Sequence, residues 1–248
     1  MSGPTLRLRM FAGPNGSGKS TLKSYLPARL LGIYLNPDEI ENVIRLQGFL
    51  DFSAYGLIVA AEEVLAFFTG SKFLHDAGLS TAAMELGFTE GRLKFGKVEV
   101  NSYLASVAGD FLRQKMLAQK ISFTFETVMS HRSKIEILMQ AQATGYRTYL
   151  YFVATDDPTI NISRVRNRVK LGGHDVPGDK IEARYYRSLD LLMEAIRHTH
   201  RAYIFDNSGE SKDGKQTWLA EITDGRQLEL KTDQIPAWFK RSVLDKIN

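Results

Sequence analysis

Gly13-Pro14-Asn15-Gly16-Ser17-Gly18-Lys19-Ser20 fills every fixed position of the G-x-x-x-x-G-K-[ST] pattern. Glycines at those positions let the backbone wrap a phosphate with its N–H groups, and a helix beginning at the end of the loop adds a favourable dipole. In such a loop Lys19 reaches the β- and γ-phosphates, the Ser20 hydroxyl ligates Mg²⁺, and Thr21 closes the binding segment. A bare glycine turn before a helix is the bland alternative, and the full match makes it the weaker one. The loop by itself does not separate a kinase from a motor ATPase or a switch GTPase. Neither a Leu-Ser-Gly-Gly-Gln signature nor an Asn-Lys-x-Asp guanine motif occurs in the chain.

The elements that must position this loop follow from patterning. Residues 5–11 read as a strand running into the loop, and a helix starts near Lys19 and is stopped by Pro27. Residues 33–35 form a second strand, after which Asn36 caps and Pro37 opens a helix reaching about Gln47. From about 51 to 98 the pattern changes to an amphipathic helix (Leu57, Ala61, Val64, Leu65, Phe68) followed by pieces punctuated at Gly78, Gly87, Gly91 and Gly96. This is expected to be a mostly helical insertion that shapes acceptor choice, or else a satellite cap.

Further along, Leu104, Val107, Phe111 and Leu112 mark a helix before the strand 121–125. Ser133 and Glu136 have capping-box spacing, and Gly145 closes their helix. A strand over 148–154 precedes a helix through Arg164 and Arg168, a Gly172-Gly173 break, and one long helix carrying Ile181, Tyr185, Leu189, Leu192 and Ile196. Residues 202–205 are expected to be the last core strand, with a small hairpin and a helix around Trp238 as a C-terminal extension from about 209. The expected fold is thus α/β, one domain over residues 1–248 with a parallel sheet covered by helices on both faces.

Composition narrows the chemistry. The chain has no cysteine, which removes disulfides, thiolate nucleophiles and Cys-based zinc sites. No signal-like segment or membrane span is legible, so a cytoplasmic location is expected. A net charge of +4 suits anionic ligands, and much of the basic excess falls between Arg164 and Arg187. Arg164 and Arg168 share a helix face next to the double glycine, as a phosphate-clamping lid requires; a solvated basic face is the alternative there and for Arg184 and Arg187. Asp38 has two readings as well: a carboxylate at the ligand edge of an open sheet, or first-turn decoration favourable to the helix dipole. Glu126 ends an apolar strand, where burial would be costly, or it faces solvent.

In order along the chain stand Asn36-Pro37-Asp38-Glu39-Ile40, Thr124-Phe125-Glu126-Thr127, Arg164-Val165, Arg168-Val169, Gly172-Gly173-His174-Asp175-Val176-Pro177, Arg184-Tyr185 and Asp206-Asn207-Ser208. With the loop, they resemble the zeta-toxin family of P-loop kinases, in particular its stand-alone "predicted ABC-type ATPase" branch. The resemblance covers residues 6–208 except the insertion. It implies a kinase fold, ATP and Mg²⁺ as cofactors, and a small-molecule acceptor, which for characterised zeta toxins is the 3′-hydroxyl of the amino sugar of UDP-N-acetylglucosamine.

It also implies a separate antitoxin protein, none being expected ahead of a first strand that begins almost at the N-terminus. By resemblance Lys19 is the loop lysine, Asp38 the base beside the acceptor hydroxyl, Glu126 and Thr127 acceptor contacts, and Arg168 a lid arginine with Arg164 assisting. His174 falls near a second lid arginine of the family, a departure from its pattern. Two other functions compete. A nucleic-acid end kinase would suit the basic charge but lacks the interleaved aromatic and basic residues of a binding groove; a regulatory nucleotide-binding module would hydrolyse without transfer.

Overall fold

The computed structural model describes residues 5–24, 26–173, 175–209 and 216–247. Its strands are β1 (Arg7–Ala12), β2 (Ile33–Leu35), β3 (Phe49–Asp51), β4 (Gly87–Thr89), β5 (Arg92–Lys94), β6 (Phe123–Thr127), β7 (Arg147–Ala154), β8 (Arg201–Asp206), β9 (Thr217–Thr223) and β10 (Gln227–Leu230). The chain divides into two compact units, Met1–Gly32 with Thr124–Asn248, and Ile33–Phe123.

In the first unit the sheet runs β10-β9-β8-β7-β1-β6. β1, β7 and β8 are parallel, with Met10 opposite Leu150 and Leu150 opposite Ala202. Parallel neighbours need crossovers, and the helices Lys19–Ser24 and Ser133–Ala143 supply packing against β7. One sheet face is apolar and mostly aliphatic: Leu8, Met10, Leu150, Phe152 and Ile204 are fully buried. On the other face Phe11, Tyr151 and Tyr203 sit opposite one another and stack at 4.9 and 4.8 Å, the cross-strand pairing that locks register. Burial pushes the Tyr151 phenol up to about 12.

β8 is not the last strand of the sheet, contrary to the sequence expectation. β9 adds to it antiparallel and β10 follows through a turn in which Asp224 and Gly225 take positive φ (49° and 69°). The pattern of 217–230 announces a hairpin; which edge that hairpin joins is a tertiary matter. The long helix expected after the double glycine is two, Gly178–Asp190 and Leu192–Arg197, separated at Leu191. The capping box also fails. Ser133 is the first helical residue, and its N–H donates to His131 Nδ1 at 3.2 Å, so the imidazole takes the capping role assigned to the hydroxyl. Gly145 does take the positive φ, 88°, that ends this helix.

The second unit begins as expected: Asn36 accepts from the Asp38 N–H at 2.8 Å, Pro37 opens the helix Pro37–Gln47, and Gly48 at φ 76° closes it. That helix packs on Ser102–Ala118 at Gly109, where a Cβ would stand 3.7 Å from Ile40 Cδ1. Arg113, 3% exposed, pairs with Asp110, and burial brings its guanidinium down to about 10. Residues 61–84 are helical, in three short segments. The glycine-punctuated stretch after them instead forms β4 and β5, which join β3 from ahead of the helices in a sheet of order β3-β5-β4, and their Glu90-Gly91 turn (φ 52° and 73°) reads locally as a break. Three-residue strands carry too little alternation to be seen.

The tail is anchored in the first unit by Trp238. Fully buried, it donates from Nε1 to Asp206 Oδ1 at 2.7 Å and lies 6.1 Å from the Phe152 ring. Trp238→Ala should destabilise the protein by about 3–5 kcal/mol, and Trp238→Phe by less, since it loses the hydrogen bond but keeps most of the packing. Urea unfolding measures both; equal losses would mean that the hydrogen bond carries the effect.

Candidate nucleotide site

The loop at the end of β1 is built by close approach. At Gly13 (φ 145°) a Cβ would stand 2.0 Å from the Val153 carbonyl oxygen, and at Gly16 (φ 73°) 2.6 Å from the Asn161 carbonyl oxygen. At Gly18 (φ 96°) it would meet Asn207 Nδ2 at 2.4 Å. Only bare backbone fits between β7, the start of the helix Pro158–Lys170 and the turn after β8.

What surrounds the loop fixes which way its peptides face. Lys19, 8% exposed, donates from Nζ to Gly13 O at 2.9 Å and Pro14 O at 3.0 Å. Asn161 Nδ2 donates to Asn15 O at 2.6 Å, Asn207 Nδ2 to Ser17 O at 2.8 Å, and Gln216 Nε2 to Gly18 O at 2.7 Å. Within the loop Ser17 N–H donates to Pro14 O and Thr21 N–H to Gly18 O. The N–H groups of Gly16, Gly18 and Ser20 find no acceptor among the described residues. Asn15 Oδ1 and Ser17 Oγ are buried without a partner among them. A ring of committed carbonyls around uncommitted N–H groups is an anion cradle. Ser20 and Thr21 are exposed at its mouth. Ser20 is the loop residue that would hold Mg²⁺ together with phosphate oxygens.

The lid candidates separate. Asp157 caps the helix Pro158–Lys170, accepting from Thr159 N–H at 2.7 Å, and that bond with the Thr159 hydroxyl holds its carboxyl below the usual carboxylate range. On this helix Arg164 is half-buried and donates from Nη1 to Asn207 O at 2.8 Å. Arg168 is exposed a turn later, where the chain folds back so that Gly173 N–H donates to Arg168 O at 3.0 Å. A Cβ on Gly173 would stand 2.6 Å from Arg168 Cγ, so this glycine clears space for the arginine. Arg184 is half-buried and Arg187 exposed on the following helix; His174 lies outside the described residues.

Glu126 and Thr127 end β6, beside β1, and both are half-buried. Thr127 Oγ1 accepts from Met129 N–H at 3.1 Å, so this hydroxyl shapes the turn in which Met129 takes φ 55°. Asp38 belongs to the second unit, exposed in the first turn of its helix. Sequence reasoning left Asp206-Asn207-Ser208 without contacts: Asp206 accepts from Trp238 and from the Ser208 hydroxyl, at 2.7 Å each, while Asn207 grips the loop. It missed Asn161 and Gln216 altogether. Nothing in the residues around Asn161 signals this role; its full burial shows only in the structure.

Gly13→Ala should lose both nucleotide binding and several degrees of melting temperature, because its Cβ meets a backbone carbonyl. Gly172→Ala, at φ 85° with open space around it, should cost only about 1 kcal/mol. Thermal melts with and without ATP distinguish the two, and equal effects would refute the close-approach argument.

Comparison with known proteins agrees with this geometry. Residues 99–215 match the zeta toxin family model. An uncharacterized protein of Haemophilus influenzae is 32% identical over 69 residues, 28% of this chain and 49% of that protein. The crystal structure of AvrRxo1-ORF1:AvrRxo1-ORF2 with sulphate ions superposes with a TM-score of 0.58 at 14% identity, over 93% of this chain and 62% of that one. The AvrRxo1-ORF1:-ORF2 structure with ATP gives 0.53 at 14%, over 99% and 64%. The match thus spans about half of the curated relative, and the chain covers under two thirds of either solved chain. At such identities the solved structures speak for the fold alone. The family match covers just under half of the chain and begins well after the loop, so the chain is similar to the zeta toxin family over residues 99–215 and shares a fold with the solved structures.

Proposed function

We propose that the protein is an ATP- and Mg²⁺-dependent phosphotransferase that moves the γ-phosphoryl group onto a hydroxyl of a small molecule, with a UDP-N-acetylamino sugar as the first acceptor to try. The observation that carries this is the loop itself: the carbonyls of Asn15, Ser17 and Gly18 accept from side chains outside it, the N–H groups of Gly16, Gly18 and Ser20 have no acceptor among the described residues, and Lys19 folds over it. The ATP in the related complex supports the choice of donor, and a separate antitoxin is the protein partner the resemblance implies.

The chain's own residues then divide the work. Lys19 exchanges two carbonyl acceptors for β- and γ-phosphate oxygens, a gain because the new hydrogen bonds are charge-assisted on both sides. Mg²⁺, when bound through Ser20 and the phosphates, supplies neutralisation of charge. Asp38 accepts the proton of the acceptor hydroxyl as its oxygen bonds to the γ-phosphorus and the bond to the β-phosphate oxygen breaks, releasing ADP. Arg164 and Arg168 stabilise charge on the phosphoryl group in flight, Arg164 from a fixed position and Arg168 from an exposed one. Glu126 orients the acceptor, with Thr127 holding the turn beside it.

Label from γ-labelled ATP should pass to at least one nucleotide sugar in a panel; release to water with every acceptor would contradict the proposal. Asp38→Asn should leave the ATP Kd nearly unchanged and cut transfer about a hundredfold or more. Arg168→Ala should lower kcat by about two orders of magnitude with little change in ATP affinity, and Arg168→Lys should recover only part, since the planar fork is lost. An Arg168→Ala enzyme with unchanged kcat would shift the lid role to Arg164.

A further inference from the structure

The side chains that donate to the carbonyls of Gly13, Pro14, Asn15, Ser17 and Gly18 are an ammonium and three carboxamides, and the carboxamides stand outside the loop. Asn161 is fully buried, and its amide is committed at both ends: Nδ2 donates to Asn15 O at 2.6 Å and Oδ1 accepts from the Thr155 hydroxyl. The orientation is fixed by chemistry, because a peptide carbonyl only accepts and must face the NH₂ end. Thr155 is itself held, its carbonyl accepting from the Tyr185 hydroxyl at 2.6 Å.

Asn207 is committed three ways. Its N–H donates to Ala154 O at 2.8 Å, its side chain to Ser17 O at 2.8 Å, and its carbonyl accepts from Arg164 Nη1 at 2.8 Å. The loop, the sheet end and the lid helix therefore meet on one residue.

We propose that Asn161 and Asn207 are positioning residues for the triphosphate: their carboxamides hold the loop carbonyls outward, so that the N–H groups of Gly16, Gly18 and Ser20 converge before ligand arrives, and Asn207 sets Arg164 in the same frame. A peptide free to rotate would turn a carbonyl oxygen toward the phosphates, and preventing that rotation in advance removes an ordering cost from binding. The buried Asn15 Oδ1 and Ser17 Oγ, without partners among the described residues, lie on the two peptides so gripped. This inference rests on the reading of the loop as a triphosphate site, and does not depend on the identity of the acceptor.

The test measures binding alone. Asn207→Leu and Asn161→Leu keep roughly the side-chain volume and remove the grip. Calorimetric titration of each full-length variant with ATP and with inorganic tripolyphosphate should show both affinities reduced about tenfold or more for Asn207→Leu, beside whatever fall in unliganded melting temperature the orphaned Ser17 carbonyl brings. If a leucine variant fails to fold, Asn207→Ser, whose hydroxyl is too short to reach the Ser17 carbonyl, carries the same expectation. Unchanged affinities with a lowered melting temperature would make these asparagines structural ties and overturn the proposal. Loss of ATP affinity with full retention of tripolyphosphate affinity would also overturn it, since Asn207 would then contact the nucleoside. A wild-type protein that binds tripolyphosphate but phosphorylates no acceptor would remove the kinase reading and leave this inference supported; one that binds neither ATP nor tripolyphosphate would overturn both.

Discussion

The constraint on which the site depends is the orientation of a few peptide groups at the end of β1. A phosphate-binding loop works only if its N–H groups face inward, and a backbone carbonyl turned outward must still find a donor. Here the donors from outside the loop are Asn161, Asn207 and Gln216, drawn from the helix after β7 and from the segment after β8. The strand order follows the same need. β7 lies directly beside β1, so its end brings the Val153 carbonyl against Gly13 and leads into the helix that carries Asn161 and Arg164. β8 comes next and delivers Asn207.

Much of this was legible in the residues. The loop pattern, the strand before it, the Asn36 cap with Pro37 behind it and the Gly145 stop are local signals, and the structure shows each. The helix bearing Arg164 and Arg168 was legible up to the double glycine that follows it, while its start at Pro158, capped by Asp157, is a finding of the structure. What escaped is non-local. Nothing within 217–230 states that its hairpin pairs with β8, and nothing near Ser133 states that His131 will reach its N–H. The three-residue strands of the second unit are below the length at which alternation is readable.

The site residues divide along the same line. A glycine-rich loop declares itself because its chemistry is contained in eight consecutive residues. Asn161, Asn207 and Gln216 act on that loop from 146, 190 and 198 residues away, and an asparagine in a helix or turn carries no mark of such a role. The arginines were legible as a basic face, and the structure distinguishes them: Arg164 has a carbonyl partner that fixes its head, while Arg168 is exposed at the helix end, cleared by Gly173.

The central claim is that the cradle is set before the phosphates arrive. Amide ¹H–¹⁵N spectra recorded during titration with tripolyphosphate test it most directly, because they report the loop N–H groups and the asparagine side-chain NH₂ groups together. The account predicts large shifts at the backbone N–H groups of Gly16, Gly18 and Ser20, while the carboxamides of Asn161 and Asn207 stay where they are. Carboxamides that shift as much as the loop, or loop N–H groups that do not respond, would contradict it.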